Sequence, residues 1–139
     1  MAFECGALAA SNGRTHQDLL QELLQHLEER FEHLTYDKVT VMESFGWCGT
    51  DVRIERKDDA PLVQYIQVST GHLILDDYVE QARAVLGEDR VSGKDVMLKM
   101  IMKGPSDFRI THSVLEYVAE RWDGILWDES AGFAVSIVE

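Results

Sequence analysis

The sequence has few cysteines and prolines and is short of basic residues. Its 139 residues include two Cys, two Pro and 13 Lys or Arg, against 25 Asp or Glu. Two cysteines are too few for the disulfide framework that stabilises many small secreted domains. The first residues lack a basic region, and Glu4 interrupts their apolar run, so we expect no signal peptide and a cytoplasmic location. Cys5 and Cys48 are then expected to stay reduced.

Long apolar runs and basic clusters are also missing. No apolar run approaches the roughly 20 residues that a membrane-spanning helix requires. The net charge of −12 argues against nucleic acid and anionic membranes as partners, because their phosphate groups are bound through Lys and Arg. The same charge would keep the protein soluble, and it would also attract a basic protein partner.

Motifs that hold cofactors, metals or nucleophiles are absent as well. The sequence contains no G-x-x-x-x-G-K-[ST], G-x-G-x-x-G or G-x-S-x-G pattern, so neither a nucleotide-binding loop nor a nucleophile elbow is expected. His26 and His33 stand on one predicted helix two turns apart, about 10 Å, which is too far for a shared metal ion. We therefore predict no catalytic, cofactor-binding or metal-binding residues.

The most regular stretch of the sequence is residues 15–34. Its large apolar residues recur at alternating spacings of four and three, which predicts an amphipathic helix lying on a core. These residues are Leu20, Leu24, Leu27, Phe31 and Leu34. Thr15 is a suitable N-cap, and Asp18 completes a capping box. The opposite face is acidic, with Asp18, Glu22, Glu28, Glu29 and Glu32 beside Arg30.

The remaining sequence alternates short strands with two further helices. Apolar residues at every second position predict strands, and clusters of Gly, Pro, Asn and Asp separate them. The predicted strands are residues 3–10, 38–45, 51–57, 62–69, 96–103, 125–127 and 132–138. The helices are 15–34, 76–86 and 111–122, and a two-glycine turn occupies 46–49. The order β-α-β-β-β-α-β-α-β-β predicts a single α+β domain over residues 1–139, a two-layer sandwich of a mostly antiparallel sheet and about three helices.

The segment G-W-C-G-T-D, residues 46–51, carries two candidate functional side chains. A redox turn of the thioredoxin type would need a second cysteine where Asp51 stands. We therefore interpret Cys48 as a turn cysteine packed beneath Trp47. Trp47 is predicted to be an exposed interface anchor, because Trp is typical of binding hot spots. Trp122 lies on the apolar face of its helix and is predicted to be in the core.

The end of the sequence resembles a known class of proteins. Residues 119–133, A-E-R-W-D-G-I-L-W-D-E-S-A-G-F, predict a helix, a glycine, a strand and an acidic turn. This ending, in a small acidic α+β protein without a catalytic motif, resembles the immunity proteins of bacterial polymorphic toxin systems. The resemblance implies tight binding to one cognate toxin domain, whose basic active site is covered by acidic side chains.

For such a binding protein, we predict that acidic groups and one aromatic residue contact the partner. The predicted partner-binding residues are Glu22, Glu29, Trp47, Asp51, Asp128 and Glu129. Two other functions stay open. The protein is alternatively a small enzyme of an unrecognised class, with Cys48, Asp51 or Glu55 in a cleft. It is otherwise a subunit of a larger assembly, with the long helix packed on a copy of itself, and we expect a monomer or a homodimer.

Overall fold

The computed structural model describes residues 2–103 and 108–133, which form a seven-stranded antiparallel sheet with helices on it. The strands are β1 (Ala2–Ala9), β2 (Leu34–Tyr36), β3 (Thr40–Met42), β4 (Trp47–Ile54), β5 (Leu62–Ser69), β6 (Val96–Lys103) and β7 (Ile125–Asp128). The helices are α1 (His16–Arg30), α2 (His72–Leu86), α3 (Glu88–Val91) and α4 (Phe108–Arg121), with a 3₁₀ turn at Glu43–Phe45. The predicted α+β class is confirmed.

The order of strands in the sheet is β2-β4-β5-β6-β1-β7, and β3 also pairs with β4. β2 pairs with the end of β4, and β3 pairs with its beginning. The two short strands therefore act as one interrupted edge strand. β6 lies between β5 and β1, so the strand predicted at 96–103 is central and has the predicted bounds.

The first helix begins as its sequence predicts. The Thr15 hydroxyl accepts a hydrogen bond from the Asp18 N–H at 3.1 Å, and the Asp18 carboxylate accepts from the Thr15 N–H at 3.3 Å. This capping box satisfies two of the N–H groups that a helix start leaves unpaired. The helix is shorter than predicted, because Phe31 is extended and His33 takes a left-handed φ of 61° in the turn to β2.

The main core lies between one face of the sheet and the helices α1 and α4. The α1 leucines of the predicted stripe are at most 1% exposed. They share the core with alternate residues of the strands, such as Val52, Ile66 and Leu98, with Val114 of α4, and with Trp122, which directly follows α4. This packing of helices on an antiparallel sheet agrees with the predicted α+β sandwich.

A smaller cluster lies on the opposite face, where α2 and α3 cover β6, β1 and β7. It joins Leu8, Leu75, Ala82, Val91, Met97, Ile125, Trp127 and Phe133. Met97 and Leu98 belong to different clusters because successive strand residues point to opposite faces. No residue of β4 or β5 belongs to this second cluster. The odd-numbered side chains of these two strands are consequently half-buried, apart from Ser69 and Gly49.

The turn predicted at 46–49 is wrong. Gly46 makes the turn with a left-handed φ of 70°, and β4 already begins at Trp47. Gly49 lies inside the strand because Tyr65 of β5 crosses it: a Cβ at position 49 would lie 2.5 Å from the Tyr65 hydroxyl. The strand predicted at 38–45 is reduced to Thr40–Met42, since the 3₁₀ turn follows.

The bounds of other elements also differ from the prediction. The helices predicted from 76 and 111 begin earlier, at His72 and Phe108. The polar connection after Gly87 contains the short helix α3. The strand predicted at 132–138 lies almost entirely outside the described residues, although Gly132 forms an isolated bridge with Asp128. Within the described ranges, none of the helices combines the length and the apolar character needed to cross a membrane.

Candidate functional site

Exposed apolar side chains are concentrated at one edge of the sheet. Six large hydrophobic side chains are exposed in the described part of the chain, and four of them lie within residues 36–45. Tyr36, Val41 and Met42 are 36–38% exposed, and Phe45 is 53% exposed. We call these four residues, together with the neighbouring Trp47, the edge patch. Met42 and Trp47 lie on the sheet face away from the main core, whereas Tyr36 and Val41 lie on the face of the main core, so the edge patch wraps around the edge. Exposed apolar side chains at such an edge typically mark an interaction surface.

The edge patch is built on the interrupted edge strand. Met42 lies directly opposite Trp47 in the β3–β4 ladder, so their side chains are neighbours on the same face. Between β2 and β3, the Asp37 N–H donates to the Asp51 carbonyl at 3.0 Å, and the Thr50 hydroxyl donates to the Asp37 carbonyl at 2.7 Å. β2 and β3 pair only with β4 among the described strands. Their outer edge can therefore accept a strand from another protein.

The corner next to the edge patch is held by Gly46. Its carbonyl accepts hydrogen bonds from the N–H groups of Thr70 at 2.7 Å and Gly71 at 3.2 Å. A Cβ at position 46 would lie 2.7 Å from the Gly71 Cα, so only glycine fits between the two segments. Phe45 and Trp47 flank this fixed point, which holds them in position before any partner binds.

Charged groups surround the edge patch. The guanidinium of Arg53 donates to both oxygens of Asp37, at 3.2 and 2.9 Å, and this hydrogen bonding lowers the pKa of the Asp37 carboxyl. Asp51 lies opposite Tyr65 in the β4–β5 ladder. Burial, and secondarily the charge of Asp51, raises the pKa of Tyr65. A partner at the edge patch would therefore meet a fixed Asp37–Arg53 ion pair and the Asp51 carboxylate beside the ring of Tyr65.

A polar cavity of about 340 Å³ opens next to the edge patch, at the start of α1. It is lined by Thr15, His16, Gln17, Glu43 and Thr70. The His16 ring is held on both sides: Nε2 lies 3.1 Å from Glu43 Oε1, and Nδ1 lies 3.3 Å from the Thr70 hydroxyl. The Glu43 carboxylate is itself exposed and can accept a cationic side chain.

Sequence reasoning did not identify this cavity as a site. His16 and Thr70 are 54 residues apart in the sequence, and Glu43 lies 27 residues after His16. No local pattern links the three side chains. They meet because the start of α1, the 3₁₀ turn and the end of β5 lie at one end of the sheet.

The six predicted partner-binding residues do not form one surface. Trp47 belongs to the edge patch, and Asp51, another odd-numbered residue of β4, lies beside it on the same half-buried face. Glu129 and Asp128 lie at the opposite edge of the sheet, on β7 and its turn. Glu29 is exposed on α1.

The carboxylate of Glu22 is directed into the protein. It accepts hydrogen bonds from Arg14 Nη1 at 2.7 and 2.8 Å and from the indole N–H of Trp122, which is fully buried. Its side chain is about one-third exposed. Glu22 therefore connects α1 with the preceding turn and with Trp122 at the end of α4. These contacts within the protein explain why a carboxylate stands at this position of the helix, and no partner protein is needed to account for it.

Asp128 and Glu129 also have local structural contacts. Asp128 Oδ1 accepts from the N–H groups of Ser130 at 2.7 Å and Ala131 at 2.6 Å, which closes the turn after β7. Glu129 exchanges hydrogen bonds with the backbone of Glu4, at 3.0 and 3.2 Å. Glu129 remains exposed.

The predicted placement of Cys48 beneath Trp47 is wrong. The two residues are adjacent in β4 and point to opposite faces of the sheet. Cys48 lies in the main core, is 0% exposed, and its thiol donates to the His16 carbonyl at 3.3 Å. Burial, with a smaller effect of Glu43, raises its pKa to about 11. A buried, protonated thiol is a poor nucleophile, so the enzyme alternative finds no support in Cys48.

The described residues bring together no group of three His, Cys, Asp or Glu side chains that could hold a metal ion.

The apolar stripe of α1 is covered by the protein's own sheet, so this stripe is not available for packing on a second copy of the protein.

No protein-family model, curated protein or solved structure matches this chain.

Proposed function

We propose that the protein binds and neutralises a basic protein toxin through the edge patch, and so acts as an immunity protein. The observation that carries the binding proposal is the cluster of exposed apolar side chains on an unpaired strand edge. The identity of the partner as a toxin rests on the resemblance of the sequence to immunity proteins.

The edge patch has the composition of a binding hot spot. Aromatic residues and Met are enriched in the cores of protein interfaces, and a few such residues supply most of the binding energy. Phe45 and Trp47 supply two aromatic anchors, and Met42 supplies an adaptable apolar side chain. Gly46 already holds the backbone between the anchors, so binding costs little additional conformational entropy.

Charge favours a basic partner. The net charge of −12 would raise the association rate of a basic protein and lower that of an acidic one. Next to the edge patch, the exposed carboxylate of Glu43 stands at the mouth of the polar cavity. A Lys or Arg of the partner fits there, where it would contact Glu43 while apolar side chains pack on Phe45.

The test begins with the reading frame next to the gene of this protein, which the proposal predicts to encode a toxin domain. The domain is produced in a bacterial host with the wild-type protein or with a variant, and both growth and binding affinity are measured. Phe45→Ser and Met42→Ser together are expected to weaken binding at least about 30-fold, because each removes a hot-spot side chain. Val85→Ser is the matched control, since Val85 is 61% exposed on α2, away from the edge patch.

Different results would contradict the two parts of the proposal, the edge patch as the binding surface and the immunity function. Equal affinities of the double variant and of Val85→Ser would remove the edge patch from the interface. If the wild-type protein neither binds nor protects against the neighbouring domain, the immunity function is wrong. Replacing Asp128 and Glu129 with Lys tests the second predicted surface, and an unchanged association rate would show that it lies outside the interface.

A further inference from the structure

Four of the five methionines lie within the described residues, and their exposure to water differs sharply. Met97 and Met100 are 0% exposed and Met102 is 7% exposed, whereas Met42 is 37% exposed in the edge patch. Met1 lies outside the described residues. A dissolved oxidant must touch the sulfur atom of a methionine to oxidise it, so exposure decides which methionine reacts first.

The three buried methionines are shielded by the fold. The Met100 sulfur accepts a hydrogen bond from Gln64 Nε2 at 3.2 Å, and this bond engages a lone pair that an oxidant would have to attack. The Met102 sulfur lies 3.4 Å from the Thr111 hydroxyl oxygen. Met97 belongs to the smaller cluster, which α2 and α3 cover. A dissolved oxidant therefore reaches these sulfur atoms only when the fold opens.

The two cysteines, which an oxidant would otherwise attack as well, are also protected. Cys5 is 3% exposed and Cys48 is 0% exposed. Peroxide reacts with the thiolate form of cysteine, and burial, aided by nearby carboxylates, raises the pKa of both thiols to about 11. Both thiols are thus protonated as well as buried at neutral pH. Among the sulfur-containing residues that the structure describes, Met42 is the exposed one.

Met42 occupies a position at which oxidation would change the edge patch. It lies directly opposite Trp47 in the β3–β4 ladder, where facing Cβ atoms are about 4.5–5.5 Å apart. Oxidation turns the thioether, an apolar group that packs well on aromatic rings, into a polar sulfoxide. A partner that covers the edge patch would have to remove water from the sulfoxide oxygen, which costs free energy unless the partner supplies a donor.

We infer that Met42 is an oxidation site through which peroxide weakens binding at the edge patch. In the reaction, a lone pair of the Met42 sulfur attacks one peroxide oxygen, and the O–O bond breaks as the S–O bond forms. The sulfur is oxidised by two electrons, and the other oxygen leaves as hydroxide and takes the remaining proton to give water. Methionine sulfoxide reductases return the product to the thioether. The effect on binding rests on the proposed function, whereas the position of the oxidised residue does not.

The first test needs no partner. The full-length protein is treated with hydrogen peroxide near neutral pH, and peptide mapping by mass spectrometry follows the gain of one oxygen atom at each methionine. We expect Met42 to be oxidised at least about tenfold faster than Met97, Met100 or Met102, because buried side chains react only when the fold opens. In the urea-unfolded control, the four rates should become similar. Equal rates in the folded protein, or oxidation of a cysteine ahead of Met42, would overturn the inference.

The second test measures the affinity for the domain encoded by the neighbouring reading frame, before and after peroxide treatment. We expect the Met42 sulfoxide to weaken binding at least about fivefold. Methionine sulfoxide reductases A and B, one for each sulfoxide epimer, should restore the affinity. Met42→Leu is the matched variant without this sulfur atom, so the treated and untreated samples of the variant should bind equally. Circular dichroism checks that each oxidised sample is folded.

The results distinguish this inference from the proposed function. Unchanged affinity of the Met42 sulfoxide, or an equal loss of affinity in peroxide-treated Met42→Leu, would refute the effect on binding. If the untreated wild-type protein does not bind the domain, the proposed function is wrong and the effect on binding is wrong with it. The peptide map decides the position of the oxidation site in either case.

Discussion

Replacing Glu22 with Ala tests whether this carboxylate stabilises the fold or is an ordinary member of the acidic helix face. In the structure, Glu22 accepts from Arg14 and from the indole N–H of Trp122, a residue one hundred positions later. Trp122 is 0% exposed, so its N–H cannot turn to water when the acceptor is removed. The variant therefore leaves a buried donor without a partner.

The expected loss of stability follows from two contributions. A buried N–H without an acceptor costs about 1–3 kcal/mol. The Arg14–Glu22 pair, with side chains 29% and 32% exposed, adds between about 0 and 1 kcal/mol. Together the free energy of unfolding should fall by about 1–4 kcal/mol. For a domain of this size, such a loss lowers Tm by about 3–14 °C.

The matched control is Glu29→Ala, two turns further along the same helix, where the side chain is exposed. Both variants make the same exchange of Glu for Ala in α1, so the change in helix propensity cancels in the comparison. We expect Glu29→Ala to change stability by no more than about 0.5 kcal/mol. Urea unfolding followed by Trp fluorescence and circular dichroism measures both. If the two variants unfold at the same urea concentration, Glu22 does not link α1 to Trp122 and the reasoning is wrong.

Two further predictions concern the sheet and the buried thiols. Gly6→Ala should lower the free energy of unfolding by more than about 3 kcal/mol or prevent folding, because its Cβ would lie 1.8 Å from the Leu98 carbonyl oxygen. The control Gly13→Ala, which has open space around it, should lower that free energy by about 1 kcal/mol in urea unfolding. Similar losses of stability in the two variants would refute the register of β1 on β6. Burial first, and nearby acidic charges second, raise the pKa values of Cys5 and Cys48 from 9.0 to about 11. Because the unfolded chain loses these protons near pH 9 and the folded protein only near pH 11, the contribution of both thiols to folding stability is fully present below pH 9 and is lost as the pH rises toward about 11. At pH 8 a disulfide reagent should label them only after unfolding, and rapid labelling of the native protein would contradict their burial.

Much of the local structure could be predicted from the sequence. The spacing of leucines and the pair Thr15 and Asp18 located the first helix and its start. β5 and β6 have the predicted bounds, because their residues alternate or form a continuous apolar run between clear breaks. Periodicity and capping depend on residues a few positions apart, so they can be read directly.

The candidate sites were predicted less well. Of the edge patch, Trp47 was predicted to bind a partner and Asp51 lies beside it, but Tyr36, Met42 and Phe45 were not identified. An apolar residue in a short strand is expected to be buried, and its exposure follows only from the strand lying at an edge. Glu22 was grouped with the acidic helix face because the sequence pattern does not reveal that Trp122 reaches its carboxylate. The two glycines at 46 and 49 predicted a turn, whereas Gly49 makes room for Tyr65.

The sequence by itself determined the class of fold, the apolar stripe of α1, the central strand β6 and the net negative charge. All of these depend on composition or on short-range spacing. The tertiary structure alone decided the order of strands, the edge position of β2 and β3, and the contact of Glu22 with Trp122. These features depend on pairing between distant segments, and that pairing is set by the packing of the whole chain around two clusters of apolar residues.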